Sequence, residues 1–198
     1  MRPWLWLPAS WAHDLGPLAL RCYGRFHNLQ TLTWSPFSWR DLEFHNRLGI
    51  AGGVDKDASQ VQSWWTLGPG FVEIGTVTPL PQPGHAGKRL GRDSDQQAVW
   101  NRLGFPSRGV EFVAQQLKNL YQPRFTPIFA NIGKNKTTPL EQAHRDYISC
   151  LRKLRGMVDG FVINLSSPNT SGLGDLLKAE DLKNFLGPIL EDNRQYTR

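Results

Sequence analysis

Four short apolar runs, at residues 48–54, 71–77, 127–132 and 160–165, alternate with longer amphipathic stretches at 58–67, 108–121, 139–154 and 181–192. The apolar runs have strand length, and the amphipathic stretches have helical spacing. Parallel strands need a crossover between them, usually a helix, so this rhythm predicts parallel strands with right-handed connections. The expected fold class is α/β, with about the first four βα units of a (β/α)8 TIM barrel. Pro188 falls inside the last predicted helix, where a kink is expected. With 198 residues, the chain can build one hydrophobic core.

The strand ends carry the chemistry. The first run leads into Gly52-Gly-Val-Asp-Lys56, where paired glycines let a ligand approach the backbone and Lys56 offers a mobile cation. The second ends in Gly75-Thr-Val-Thr-Pro79, with Thr76 and Thr78 at its mouth. The third carries Asn131, an amide that is costly to bury unpaired on an otherwise apolar strand. The fourth delivers Asn164, Ser166, Ser167, Asn169 and Thr170. Any one of these could be a local cap or turn residue. Polar groups at all four corresponding ends instead mark the catalytic face of a barrel. A long excursion, residues 79–107, separates the second strand from its helix; its length predicts a lid or binding loop, with room for a short hairpin.

Residues 1–40 differ from the rest. They hold Trp4, Trp6, Trp11, Trp34 and Trp39, five of the eight tryptophans, and set Arg2, Arg21, Arg25 and Arg40 against Asp14 alone. Trp11, Leu15, Leu18, Cys22, Phe26 and Leu29 form a stripe along one helix face, with a kink or two short helices expected at Gly16-Pro17. The residues alone leave two readings open: a helix packed on the main domain, or a basic amphipathic element in a membrane interface. Trp34-Ser-Pro-Phe-Ser-Trp39 reads as the turn into the main domain. No run reaches the ~18 apolar residues of a membrane span, and with Pro3 and Pro8 interrupting the start no signal peptide is expected. The formal net charge of +6 favours anionic partners. Cys22 and Cys150 lack metal-type spacing and are expected to be packing residues in a reducing compartment.

Five ordered motifs resemble the dihydroorotate dehydrogenases, specifically the quinone-dependent, membrane-associated class 2. They are Ala51-Gly-Gly-Val-Asp-Lys-Asp57, Glu73-Ile-Gly-Thr-Val-Thr-Pro-Leu-Pro-Gln-Pro-Gly84, Asn101-Arg-Leu-Gly-Phe105, Asn131-Ile-Gly-Lys-Asn-Lys136 and Ile163-Asn-Leu-Ser-Ser-Pro-Asn-Thr170. The resemblance implies an FMN enzyme that oxidises (S)-dihydroorotate to orotate in pyrimidine synthesis, with a membrane quinone as electron acceptor. It implies a helical membrane-interface and quinone-access extension at 1–40, then the N-terminal half of the barrel at 41–198. Gly52, Gly53, Val54, Asp55, Lys56, Thr76, Asn131 and Asn164 would contact FMN. Lys56, Asn101, Arg102, Leu103, Gly104, Phe105, Asn164 and Asn169 would contact the pyrimidine.

Ser167 matches the base that takes the C5 proton while a hydride leaves C6. Class 1 relatives carry cysteine there. A serine hydroxyl is a weak base and needs a hydrogen-bond network or water relay. Asparagines suit a ring edge of alternating carbonyls and N–H groups, since each amide donates and accepts. The implied location is peripheral, on the cytoplasmic face of the bacterial inner membrane. No metal and no nucleic acid partner is expected.

The resemblance also implies features beyond this sequence: a lysine on a fifth strand, an Asn-Thr pair after a sixth, and glycine-rich phosphate loops on the last strands. The isolated chain is therefore not expected to complete the site by itself. The alternatives are a non-catalytic half barrel and another FMN-dependent pyrimidine oxidoreductase. One departure stands out: Gly91 occupies a place where relatives usually carry an aromatic residue.

Overall fold

The computed structural model describes residues 6–165 and 178–196. In chain order the elements are α1 (Ala9–Phe26), β1 (Phe37–Trp39), β2 (Leu42–Phe44), β3 (Gly49–Asp55), α2 (Val61–Trp65) and β4 (Phe71–Val77). They continue with β5 (Leu90–Asp93), β6 (Ala98–Asn101), α3 (Val110–Lys118), β7 (Ile128–Ile132), α4 (Ala143–Leu154), β8 (Gly160–Ile163) and α5 (Ala179–Tyr196). A parallel sheet of order β3-β4-β7-β8 forms the centre. All four expected strands and all four expected helices are present, in an α/β fold.

The sheet has two different faces because alternate side chains point to opposite sides. One face presents Val72, Ile74, Ile128, Ala130 and Ile132 to a buried core that includes Trp65, Val113, Leu117, Tyr147, Leu151 and Leu154. The Trp65 indole N–H is satisfied by the Thr126 hydroxyl at 3.1 Å. On the opposite face Phe71 and Phe129 meet edge to face at 6.0 Å, and Phe44 from the β1–β2 hairpin stacks beside Phe129 at 6.3 Å. The glycines of the outer strands make room for these rings. A Cβ on Gly49 would overlap the Phe71 ring, and one on Gly160 would stand 2.7 Å from Phe129.

Several local expectations change. The stretch 34–39 is more than a turn: Phe37–Trp39 pairs with Leu42–Phe44, so the boundary drawn at residue 40 falls inside a hairpin that packs on the sheet. Helix α2 is shorter than the predicted 58–67, because Ala58 takes a left-handed φ of 56° and the Asp55 carboxylate instead accepts the Ser59 and Gln60 amides. Helices α1 and α5 run through Pro17 and Pro188 as single hydrogen-bonded elements. Each proline frees the carbonyl four residues earlier, on His13 and Asn184, and both residues are exposed to water. The excursion does hold a hairpin, β5–β6.

Helix α5 is held to α4 by Phe185 packing edge to face on Tyr147 at 4.9 Å and by a buried carboxylate. Asp192 accepts from Arg152 at 2.7 Å and Arg155 at 3.0 Å. Burial works to raise the Asp192 pKa, but the two guanidiniums outweigh it and hold it below its ordinary value of 3.8. Its stabilising contribution is therefore present above that ordinary value and is lost as pH falls through the lowered one. We expect the protection of α5 amides, measured against their intrinsic exchange rates at each pH, to fall on acidification more steeply in the parent than in Asp192→Asn, in which the protection is weaker at neutral pH. Equal acid sensitivity in the two proteins would refute this.

Candidate active site

The C-terminal ends of three adjacent strands meet in one hydrogen-bonded cluster. Thr76 at the end of β4 donates its hydroxyl to Asn131 Oδ1 at 2.6 Å. Asn164, just past β8, donates from Nδ2 to Thr76 Oγ1 at 2.9 Å and to Asn131 Oδ1 at 3.0 Å. Asn131 lies between them on β7 and donates from Nδ2 to Glu73 Oε1 on β4 at 2.7 Å. The burial cost of the Asn131 amide is thus met by three partners, Glu73 and Thr76 from β4 on one side and Asn164 past β8 on the other. Asn164 is fixed from behind as well: its carbonyl accepts the buried Tyr147 hydroxyl at 2.8 Å and its amide donates to Ile132 at 3.0 Å.

The second half of β3, where its pairing with β4 is irregular between Ile50 and Asp55, borders this cluster together with the turn that follows it. Gly53 has a φ of 89°, and a Cβ there would meet only Lys56 Nζ, so its outer side is open to a flat ligand. Lys56 folds back to donate to the Gly53 carbonyl. Burial lowers the Lys56 pKa from its ordinary value, with Asp57 and Asp55 opposing. The side chain of Asp55 is occupied structurally, capping the turn into α2 with two hydrogen bonds of 2.9 Å. Burial pushes its carboxyl pKa up against those two bonds. Val54 is exposed. Gly52 faces inward: a Cβ there would collide with Glu73 Oε1 and stand 3.1 Å from Asn131 Nδ2. Its smallness serves the protein's own amide–carboxylate pair as well as any ligand.

The excursion is anchored over the same end of the sheet. Asn135 Oδ1 accepts the Leu80 amide at 3.0 Å, and its Nδ2 donates to the Leu80 carbonyl at 2.9 Å and to Gln82 Oε1 at 3.0 Å. Gln82 Nε2 donates to the Phe105 carbonyl at 2.7 Å. The Phe105 ring reaches the cluster across Gly133, where a Cβ would be 2.8 Å from Phe105 and 2.9 Å from Thr76. Arg102 pairs through its backbone with Arg89, Leu103 with His85, and Gly104 turns with a φ of 75°. Asn101 sits exposed at the end of β6. Lys56 and Leu103 line one crevice of about 820 Å³ with Trp6, His13 and Arg92. The Thr78 hydroxyl is used locally by the Leu80 carbonyl. Ser167 and Asn169, with Ser166 and Thr170, lie outside the described residues.

Two contributors escaped the sequence reading. Glu73 was legible in principle, since an acid inside the run Phe-Val-Glu-Ile needs a partner as much as Asn131 does. Tyr147 was not, because its place in the apolar stripe of α4 is that of any core aromatic. The glycine at position 91 is compensated across the hairpin. Trp100 pairs with it in register, and a Cβ on Gly91 would overlap the Trp100 indole, which fills the space beside it.

These features define an α/β protein whose polar groups converge at the C-terminal edge of a parallel sheet, where such folds carry out their chemistry. The chain belongs to the dihydroorotate dehydrogenase family: the model described as "Dihydroorotate dehydrogenase" matches residues 37–196. A dihydroorotate dehydrogenase (quinone) of Nautilia profundicola is 46% identical over 188 residues, covering 90% of this chain and 52% of that protein. One from Coxiella burnetii is 40% identical, covering 98% and 57%. The crystal structure of DHODH from Eimeria tenella in complex with ferulenol superposes with a TM-score of 0.81 at 30% identity, covering 94% of this chain and 51% of that one. The chain spans about half the length of the relatives it matches.

Removing the Asp55 cap tests how the glycine loop is positioned. Asp55→Ala is expected to cost about 1 kcal/mol in chemical denaturation. A stability unchanged from the parent would show that the cap does not hold the loop.

Proposed function

We propose that this chain forms the first half of a (β/α)8 barrel that oxidises (S)-dihydroorotate to orotate in pyrimidine synthesis, with FMN as cofactor and a membrane quinone as acceptor. The observation that carries the reading is the joined cluster of Thr76, Asn131 and Asn164 beside the Gly53–Lys56 turn. Its donor set fits a flavin: amides and a hydroxyl for a ring edge of carbonyls and nitrogens, an open glycine for close approach, and a cation for an electron-rich ring.

The bound flavin would supply two-electron redox chemistry and hand electrons to the quinone. The protein's part is to orient and polarise. Asn131 and Thr76 hold the flavin edge, and Asn164 bridges flavin and substrate. Lys56 lends positive charge where negative charge accumulates. Asn101, Arg102, Leu103, Gly104 and Phe105 form the pyrimidine side, with Asn169. Ser167 takes the C5 proton. The N-terminal extension supports the quinone assignment. The face of α1 that carries Trp11, Leu15, Leu18, Cys22 and Phe26 points outward, with Phe26 82% exposed, while Gly24 packs against Ser63 of α2. No described helix is long and apolar enough to cross a membrane. The proposed location, taken from the family resemblance and the outward apolar face of α1, is peripheral, on the cytoplasmic face of the bacterial inner membrane, through an interfacial helix.

The direct test is the visible spectrum of the purified chain after incubation with FMN and desalting. Retained flavin is expected, without the dihydroorotate-dependent bleaching that a complete site would give; a colourless protein would refute a flavin site in this half alone. Flavin affinity should weaken as pH rises through the lowered Lys56 pKa, and Lys56→Ala should abolish that dependence. For the extension, the parent should float with anionic liposomes and a Trp11→Ala, Phe26→Ala double variant should not. Equal flotation would overturn the interfacial role.

A further inference from the structure

We infer that Glu73 is the positioning residue that sets which atom of the Asn131 amide faces the flavin. The inference rests on the flavin reading above and adds to it a direction of hydrogen bonding. An asparagine amide can enter a site either way round, with its oxygen and nitrogen exchanged. Thr76 cannot choose between them, because a hydroxyl both donates and accepts. A carboxylate can only accept. Glu73 Oε1 lies 2.7 Å from Asn131 Nδ2, so the amide nitrogen is held on the Glu73 side. Asn131 Oδ1 must then accept, and it does so from Thr76 at 2.6 Å and Asn164 at 3.0 Å. The Thr76 hydroxyl is left with its lone pairs toward Asn164 Nδ2 at 2.9 Å. The hydrogen bonds within the cluster therefore run in one direction and terminate at Glu73.

The consequence falls on the ligand. One N–H of Asn131 goes to Glu73, and the second has no partner among the described residues. It is presented as a donor on the inner face of the sheet, 8% exposed at the residue level. A flavin acceptor atom, a ring carbonyl or imine nitrogen, is the matching group. Gly52 leaves the space this arrangement needs, since a Cβ there would displace the Glu73 carboxylate. A Glu73 kept only to satisfy a buried amide would tolerate any partner that completes the bond. A Glu73 that orients would not.

Two variants of the full chain separate these roles. Glu73→Gln keeps the shape but permits either amide orientation. The swap Glu73→Gln with Asn131→Asp restores an amide–carboxylate bond with its polarity reversed; Thr76 and Asn164 can still donate to position 131, but the donor to the ligand is gone. The first readout needs no flavin: the Asn131 side-chain N–H2 signals in a 15N-labelled apo sample. In the parent the N–H bonded to the Glu73 carboxylate is expected to resonate well downfield of its geminal partner and to exchange slowly; in Glu73→Gln that separation is expected to shrink. Identical signals in the two proteins would overturn the inference, whether or not the chain binds FMN.

The second readout is FMN affinity by fluorescence quenching. It is expected to fall about tenfold in Glu73→Gln, the size of one lost oriented hydrogen bond, and to stay low in the swap although thermal unfolding returns to the parent value. Recovery of flavin binding in the swap would overturn the orienting role and leave a structural one. If the parent itself binds no FMN, the flavin reading fails, and the amide signals alone decide what Glu73 does.

Discussion

A buried amide on the inner face of a central strand has to be satisfied where it stands, and the site is arranged around that requirement. Left unpaired, the Asn131 side chain would cost about 1–3 kcal/mol. It is paired on both sides, by Glu73 and Thr76 from one neighbouring strand and Asn164 from the other. Parallel pairing in the observed register brings these residues within reach. The same bonds that stabilise the sheet end also fix the polar groups it presents, so a substitution at any one of the four alters both.

The two sides of the sheet obey different rules. Toward the helices it is uniformly apolar, and hydrophobic burial of residues such as Val72, Ile74 and Ile128 holds it in place. On the other side it is layered along the strand direction. Aromatic rings at the N-terminal end lie over glycines, and the polar cluster follows toward the C-terminal end. Large side chains on the inner strands are matched by absent side chains on the outer ones, which is how a curved inner face is filled. Gly52 belongs to this pattern as much as to ligand approach, since the space it vacates is occupied by the Glu73–Asn131 pair.

The loops are tied to this frame by side-chain amides. Asn135 and Gln82 lash the long excursion to the loop after β7 and so deliver Phe105 to Thr76. Trp100 fills the space beside Gly91 from the opposite strand of the hairpin, so the aromatic volume expected at one position is supplied from across the ladder. On α1 the apolar stripe is turned away from the sheet, while small Gly24 makes the contact with α2. That choice of face leaves the apolar stripe exposed, where a core helix of the same sequence pattern would bury it.

Much of this was readable beforehand. Strand length, helical spacing and the βα rhythm are local properties, and they placed four strands and four helices correctly. Asn131 was identifiable because an amide in an apolar strand announces an unmet need, and Glu73 carried the same signal. Other features had no local trace. The length of α2 depended on an Asp55 carboxylate reaching the Ser59 and Gln60 amides, and the β1–β2 hairpin on Phe44 finding Phe129. The sequence by itself determined which residues are strand, helix and polar strand end, because those follow from periodicity and side-chain type. Only the tertiary structure decided which polar groups face one another, which way each amide points and which side of α1 is outward. Those depend on strand register and on partners 33 to 88 residues away along the chain.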